Sequence, residues 1–156
     1  MEIKEINGNL LDTDAELILH QVNCQGKMNS GVAKAIREKW PIVFEEYHKL
    51  FYKDFFVVKL GICQPVSVSD TQKVINMFSQ DNYGYDGKMY TSYDAVNTCL
   101  GKVKDYCVKN GYKRIALPYK MCCCRGGANW DVIMAMIKAN FEDSDILIEI
   151  YRLDNG

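Results

Sequence analysis

The sequence predicts an α/β fold, and three observations carry that expectation. Strand-like and helix-like apolar periodicities alternate along 156 residues with no internal repeat, low-complexity tract or linker. The run Leu17-Ile18-Leu19 is continuously apolar, which suits a strand covered on both faces rather than one with a wet side. Residues 16 to 36 then pass from this strand through a loop bearing Asn23, Gly26 and Gly31 directly into a helix. A chain of this length can bury roughly 70% of its unfolded surface, so 1 to 156 is expected to form a single domain.

Residues 2 to 6 alternate charged and apolar side chains as a short strand does, and Asn7-Gly8-Asn9 signals a turn. The strand at 16 to 23 follows. From Ser30, Val32, Ala33, Ile36 and Trp40 fall at helical spacing, and Pro41 marks a break. A second helix carries Val43, Phe44, Tyr47, Leu50 and Phe51. Residues 55 to 68 hold two short apolar runs split by Gly61 and Pro65, and 73 to 79 read as a strand. The stretch 80 to 91 is polar and aromatic without periodicity, the kind of long loop that tends to carry function. Tyr93, Val96, Leu100, Val103 and Cys107 share one side of a helix over 92 to 110, closed by Asn110-Gly111. A strand at 114 to 119 leads into a second glycine-bearing loop, 120 to 128. Asn129 is placed to cap a helix over 130 to 142, and 146 to 153 make the last strand.

Composition excludes several classes. A formal net charge of −1 with both signs interspersed gives no global attraction to nucleic acid or membrane. The start, Met-Glu-Ile-Lys-Glu-Ile, is no signal segment, and no run of about 18 apolar residues occurs, so a cytoplasmic protein is expected. Seven cysteines without paired Cys-x2-Cys clusters support neither a disulfide framework nor a structural zinc site. No metal or cofactor is expected, and most thiols should be small buried apolar groups.

The loop from Asn23 to Gly31 has the features of an anion site. The first N–H groups of a helix lack intrahelical partners and carry the positive end of its dipole, while glycine lets backbone approach a ligand. Asn23 at the strand's carboxyl end offers a neutral donor and acceptor for a sugar hydroxyl, and ribose beside phosphate suggests a nucleotide. Neither Gly-x-Gly-x-x-Gly after a strand nor Gly-x4-Gly-Lys-Ser/Thr is present, which disfavours dinucleotide-binding and P-loop sites. A lone histidine inside a strand, as His20 is, is more often a hydrogen-bonded core residue than a catalyst. His48 belongs to a charged helix surface.

The run His20-Gln21-Val22-Asn23-Cys24-Gln25-Gly26-Lys27-Met28-Asn29-Ser30-Gly31-Val32-Ala33 closely resembles the first ligand loop of the macro domain family, whose members bind ADP-ribose. Further matches follow in order: Gly8-Asn9-Leu10, Gln80-Asp81-Asn82-Tyr83-Gly84, Tyr90-Thr91-Ser92-Tyr93, Leu117-Pro118-Tyr119-Lys120 and Gly127-Ala128-Asn129-Trp130. The resemblance spans nearly the whole chain. It implies a three-layer α/β/α sandwich with a central mixed, twisted sheet, and ADP-ribose or an ADP-ribosylated substrate as partner. It also implies that Asn9 and Leu10 lie at the adenine, Asn23 at the distal ribose and Gly31-Val32-Ala33 at the diphosphate. Ser92, Tyr119 and Leu153 would line the ligand, and the helix starts at 31 and 130 would together cradle the diphosphate.

In the second loop this chain departs from the family. Met121-Cys122-Cys123-Cys124-Arg125-Gly126-Gly127-Ala128 stands where Ile-Gly-Cys-Gly-Leu-Ala-Gly-Gly is usual. Cys122 and Cys124 replace glycines, which costs on the order of 1 kcal/mol each if those positions need positive φ. Arg125 either adds a forked cation for phosphate or points into solvent. Cys123 or Cys124, near a helix N-terminus, is a candidate reactive thiol, weighed against simple packing.

Three readings of the function stand side by side. Hydrolysis at the distal ribose 1″ position needs a polarised bond and a positioned water or nucleophile, for which His20, Asn23 and Asp81 are the candidates. The lysine nucleophile of some members has no match at Ser79-Gln80, nor does their second-loop acid. His20 before Gln-Val-Asn is similar to the arrangement in members that act on ADP-ribose 1″-phosphate. The alternatives are a non-catalytic module for ADP-ribose or an NAD-derived metabolite, and a fold whose cysteines have closed the diphosphate site.

Overall fold

Side chains alternate across a strand, so each strand of a sheet covered on both faces contributes to two layers at once. The computed structural model describes residues 1–84, 86, 88–124 and 126–153. Six strands, β1 (Glu2–Asn7), β2 (Leu17–Asn23), β3 (Cys63–Ser67), β4 (Lys73–Gln80), β5 (Arg114–Pro118) and β6 (Leu147–Arg152), form one sheet in the order β1-β6-β5-β2-β4-β3. All neighbours are parallel except β3 and β4. β3 is an edge strand, the position in which Pro65 is tolerated because it donates no ladder bond.

Helices α1 (Gly31–Lys39), α2 (Pro41–Lys49), α3 (Tyr93–Asn110) and α4 (Trp130–Phe141) cover the two faces. Leu17 and Leu19 of β2, with Ile75, Met77, Ile115, Leu117, Ile148 and Ile150, pack against Val96, Leu100, Val103, Ile133 and Ile137 of α3 and α4. Ile18 and Val22, with Val74, Phe78 and Ala116, pack against Ile36, Val43 and Tyr47 of α1 and α2. This is the expected three-layer sandwich with a mixed sheet.

Several boundaries differ from the periodic reading. The second helix ends at Lys49, and Leu50–Tyr52 continue as a 3-10 turn. Only Cys63–Ser67 of the stretch 55 to 68 is a strand. Leu153 lies beyond β6 and is exposed. The Asn110-Gly111 stop is as expected, with Gly111 left-handed at φ 71° and its N–H bonded to the Cys107 carbonyl.

The topology creates one crevice. From β2 the chain leaves through α1 and α2 towards β3 and β4, and α3 then carries it back past β2 to β5. Connections leaving adjacent parallel strands in opposite directions open a gap at their carboxyl ends, where open α/β sheets bind ligands.

Candidate functional site

At that gap lies a cavity of about 390 Å³ walled by the ends of β2, β4 and β5 and the loops that follow them. Of the residues singled out from the sequence, His20, Asn23, Gly31, Val32, Ala33, Tyr119, Met121, Cys122 and Cys124 lie in its wall. Lys27 and Lys120 are also there, and among the described residues the wall holds no carboxylate. The local field therefore favours an anion although the whole chain is slightly acidic.

The first N–H groups of α1 form part of this wall. Ser30 takes the N-cap position but makes no side-chain capping bond, so the donors of Gly31, Val32 and Ala33 remain available. α4 differs: Asn129 Oδ1 accepts from Asp131 N at 2.8 Å, and no residue of α4 lines the cavity. The expectation of two helix starts on one ligand is corrected to one, with the loop 119 to 126 on the other side.

Asn23 is pinned. Its Oδ1 accepts from Gln25 N at 2.9 Å, Lys27 N at 3.4 Å and the Tyr47 hydroxyl at 2.9 Å, while its Nδ2 donates to the Lys27 carbonyl at 3.0 Å. Two of the donors to Oδ1 are backbone N–H groups, which settles the orientation of the amide. What remains for a ligand is the second Nδ2 hydrogen, so Asn23 offers a donor.

His20 is 1% exposed on the α1/α2 face of β2. Burial holds its ring pKa down to about 4, against a smaller opposing effect of Asn76, so the imidazole is neutral near pH 7. Its Nε2 is 2.6 Å from Asn76 Oδ1, and its buried Nδ1 has no partner among the described residues.

The opposite face of β2 organises the second loop. Gln21 Nε2 donates to Ser79 Oγ and Thr91 Oγ1, each at 3.0 Å, and the Thr91 hydroxyl donates to the Cys122 carbonyl at 3.0 Å. Tyr90 N and Thr91 N both donate to the Gly126 carbonyl, at 2.8 and 2.9 Å. A Cβ at Gly126 would fall 2.0 Å from Thr91 Oγ1 and 2.4 Å from the Cys122 carbonyl oxygen, so only glycine fits this junction. The roles of Gln21, Thr91 and Gly126 escaped the sequence reading because they depend on segments far apart in the chain, Gln21 and Thr91 being 70 residues apart and Thr91 and Cys122 31.

Cys122 has φ 73° and Lys120 φ 57°, so two side chains occupy the left-handed region within the loop, whereas Cys124 does not. The cost expected at both replaced glycines therefore applies to Cys122 alone. Cys122 is buried, and burial pushes its thiol pKa well up. Cys123 is half-buried and off the cavity wall, with its thiol pushed up to about 11 by burial. That opposes the activation expected from a helix start. Cys124 is the exposed thiol of the three.

Other expected ligand residues stand outside the cavity. Asn9 caps a 3-10 turn, its Oδ1 accepting from Leu11 N at 2.9 Å, and Leu10 is buried in the α1/α2-side core. Ser92 caps α3 by accepting from Ala95 N at 3.2 Å. Asp81 is exposed at the rim, where its backbone carbonyl accepts from Cys24 N and Gln25 Nε2, each at 3.1 Å. Arg125 lies outside the described residues. Asn9 and Leu153 nevertheless share the carboxyl edge of the sheet with the cavity, because Asn7 pairs with Arg152 and Pro118 with Tyr151. Tyr119 stands between, with the Arg152 guanidinium 4.4 Å from its ring centre and Trp130 edge-on to it.

No family model matches the sequence. A stretch of 47 residues, 30% of this chain, is 43% identical to an ADP-ribose 1″-phosphate phosphatase of Aspergillus oryzae and spans 23% of that protein. A stretch of 62 residues is 32% identical to the human ADP-ribose glycohydrolase OARD1, covering 40% of each chain. Among solved structures, a protein of unknown function from Bacteroides thetaiotaomicron superposes with a TM-score of 0.87 at 26% identity over 98% of this chain and 99% of its own. A macrodomain protein from Streptomyces coelicolor superposes with a TM-score of 0.82 at 22% identity, covering 97% of this chain and 99% of that one.

Proposed function

This chain has the macro domain fold, and from that premise we propose that it binds ADP-ribose through the β2–α1 cavity and hydrolyses a substituent at the distal ribose 1″ position. The observation that carries this reading is the wall itself: uncapped helix N–H groups, two lysines, the pinned Asn23 donor and the neutral buried His20 in one cleft that holds no carboxylate among the described residues. The diphosphate fits the α1 N-terminus facing the loop 119 to 126, where donors and positive potential converge. The adenosine half would extend along the carboxyl edge past Tyr119 towards Asn9 and Leu153.

A 1″-phosphate monoester is the substrate this site suits best. Water attacks phosphorus, the bond from phosphorus to the 1″ oxygen breaks, and ADP-ribose and phosphate leave. His20, neutral at pH 7, can accept a proton from that water or hold it, while Lys27 and Lys120 balance the anionic charge. Asp81, outside the wall, is removed from the chemistry in this reading. The names of the matched phosphatase and glycohydrolase support the same class of substrate.

The test is phosphate release from ADP-ribose 1″-phosphate by the wild-type protein and by His20→Ala. Turnover should fall by 100-fold or more, of the order expected for loss of a general base, while ADP-ribose affinity stays within about threefold. Unchanged turnover in the variant would remove His20 from the mechanism. A wild-type protein that binds ADP-ribose but releases no phosphate would instead favour the non-catalytic binding module.

A further inference from the structure

A chain of side-chain amides runs from the backbone of α2 to His20, and each link has one possible polarity. The Glu46 carbonyl can only accept, and Gln64 Nε2 donates to it at 2.9 Å. Gln64 Oε1 therefore faces Asn76 and accepts from Asn76 Nδ2 at 3.1 Å. Asn76 Oδ1 is then turned to His20 Nε2 at 2.6 Å and can only accept. Reversing the amides would bring Gln64 Oε1 against the Glu46 carbonyl oxygen, two acceptors without a hydrogen between them. All three side chains project from the α1/α2 face of neighbouring strands, with His20 paired to Asn76 and Asn76 to Gln64 in register.

We propose that Gln64 and Asn76 are positioning residues that hold His20 as the Nε2–H tautomer, leaving the Nδ1 lone pair as the proton-accepting atom of the cavity. Nδ1 is buried and has no partner among the described residues, and His20 is one of the residues that line the cavity. An imidazole's tautomer is set by the hydrogen bond its other nitrogen makes. The ring cannot then donate from Nδ1, which suits a base and not an acid in the first step. The titratable groups around it are Tyr47 of α2 and, in the cavity wall, Lys27, Lys120, Tyr83, Tyr119, Cys122 and Cys124. None of these is hydrogen-bonded to the ring. The catalytic use of Nδ1 rests on the proposed function, whereas the tautomer does not.

Long-range proton–nitrogen spectra of the free, 15N-labelled protein read the tautomer without substrate. The chain has two histidines, and His48→Gln assigns the remaining ring signals to His20. The wild type should show pyrrole-like Nε2 and pyridine-like Nδ1 at pH 7. Gln64→Leu, a change on a half-buried edge-strand side chain, unpins Asn76 and should yield a mixed or reversed tautomer. Asn76→Asp supplies an acceptor that needs no pinning, so it should keep Nε2–H and raise the pH at which the ring protonates. In turnover of ADP-ribose 1″-phosphate, Gln64→Leu should lose about 10-fold or more in kcat with KM nearly unchanged. In Asn76→Asp the pH optimum of the turnover that remains should move upward with the ring. Protonated Nδ1 in the wild type, or a Gln64→Leu ring with the tautomer unaltered, would overturn the proposal. A confirmed tautomer in a protein without turnover would leave the relay standing and defeat the proposed activity.

Discussion

At the scale of single residues, His20 ties the site to stability. Its ordinary pKa of 6.5 falls to about 4 in the folded chain because burial penalises the imidazolium. Between those values the unfolded chain binds a proton that the folded chain refuses, so stability is full above pH 6.5 and is lost as pH falls towards 4. The loss amounts to about 3 kcal/mol at one histidine. Urea unfolding of the wild type from pH 7 to 4, compared with His20→Gln, checks this: the variant should lose correspondingly less over the same range. The sequence placed His20 on a covered strand and offered two roles, core residue or catalyst. The structure combines them, a buried hydrogen-bonded ring in a cavity wall, and no local pattern could have revealed Asn76 and Gln64 behind it. Cys122 was legible as a glycine replacement, but its left-handed φ and the ordinary φ of Cys124 depend on the path of the whole loop.

At the scale of elements, the helix starts differ in side-chain capping: α3 and α4 are capped, whereas α1 at the cavity and α2, which begins at Pro41, are not. Ser92 and Asn129 each accept a backbone N–H at the start of α3 and α4, and Ser30 at α1 does not. Ser92→Ala should therefore destabilise by about 1 kcal/mol and leave ADP-ribose affinity unaltered, whereas Ser30→Ala should change stability by less than about 0.5 kcal/mol. Denaturant midpoints of both variants, with a titration of each, distinguish the two roles. Helix spans were legible because apolar spacing is local, and Gly111 closes α3 as read. The short 3-10 turns at Leu10–Asp12 and Leu50–Tyr52 were not, since three residues carry no period. Asn9 drew attention as a possible adenine contact, and its visible bond is to its own turn.

At the scale of the whole molecule, the sheet order produces the site. Pairing between β2 and β5, distant in the chain, puts the loops after Asn23 and after Pro118 on facing sides of one crevice. Parallel pairing leaves no short-range signal, so periodicity gives strands without an order, the family resemblance implies only a mixed, twisted sheet between helices, and the order itself comes from the structure. The same arrangement decides how much positive potential the cavity holds. One uncapped helix start, two lysines and a strained loop replace the two helix starts first expected. The central claim is that this cavity takes the diphosphate and distal ribose despite Cys122 and Cys124. Calorimetric titration of the reduced protein with ADP-ribose, with AMP and NAD as controls, tests it most directly. Selective binding of ADP-ribose in the micromolar range, on the order of −8 kcal/mol, is the predicted result. No heat of binding, together with a melting temperature unmoved by excess ADP-ribose, would contradict it.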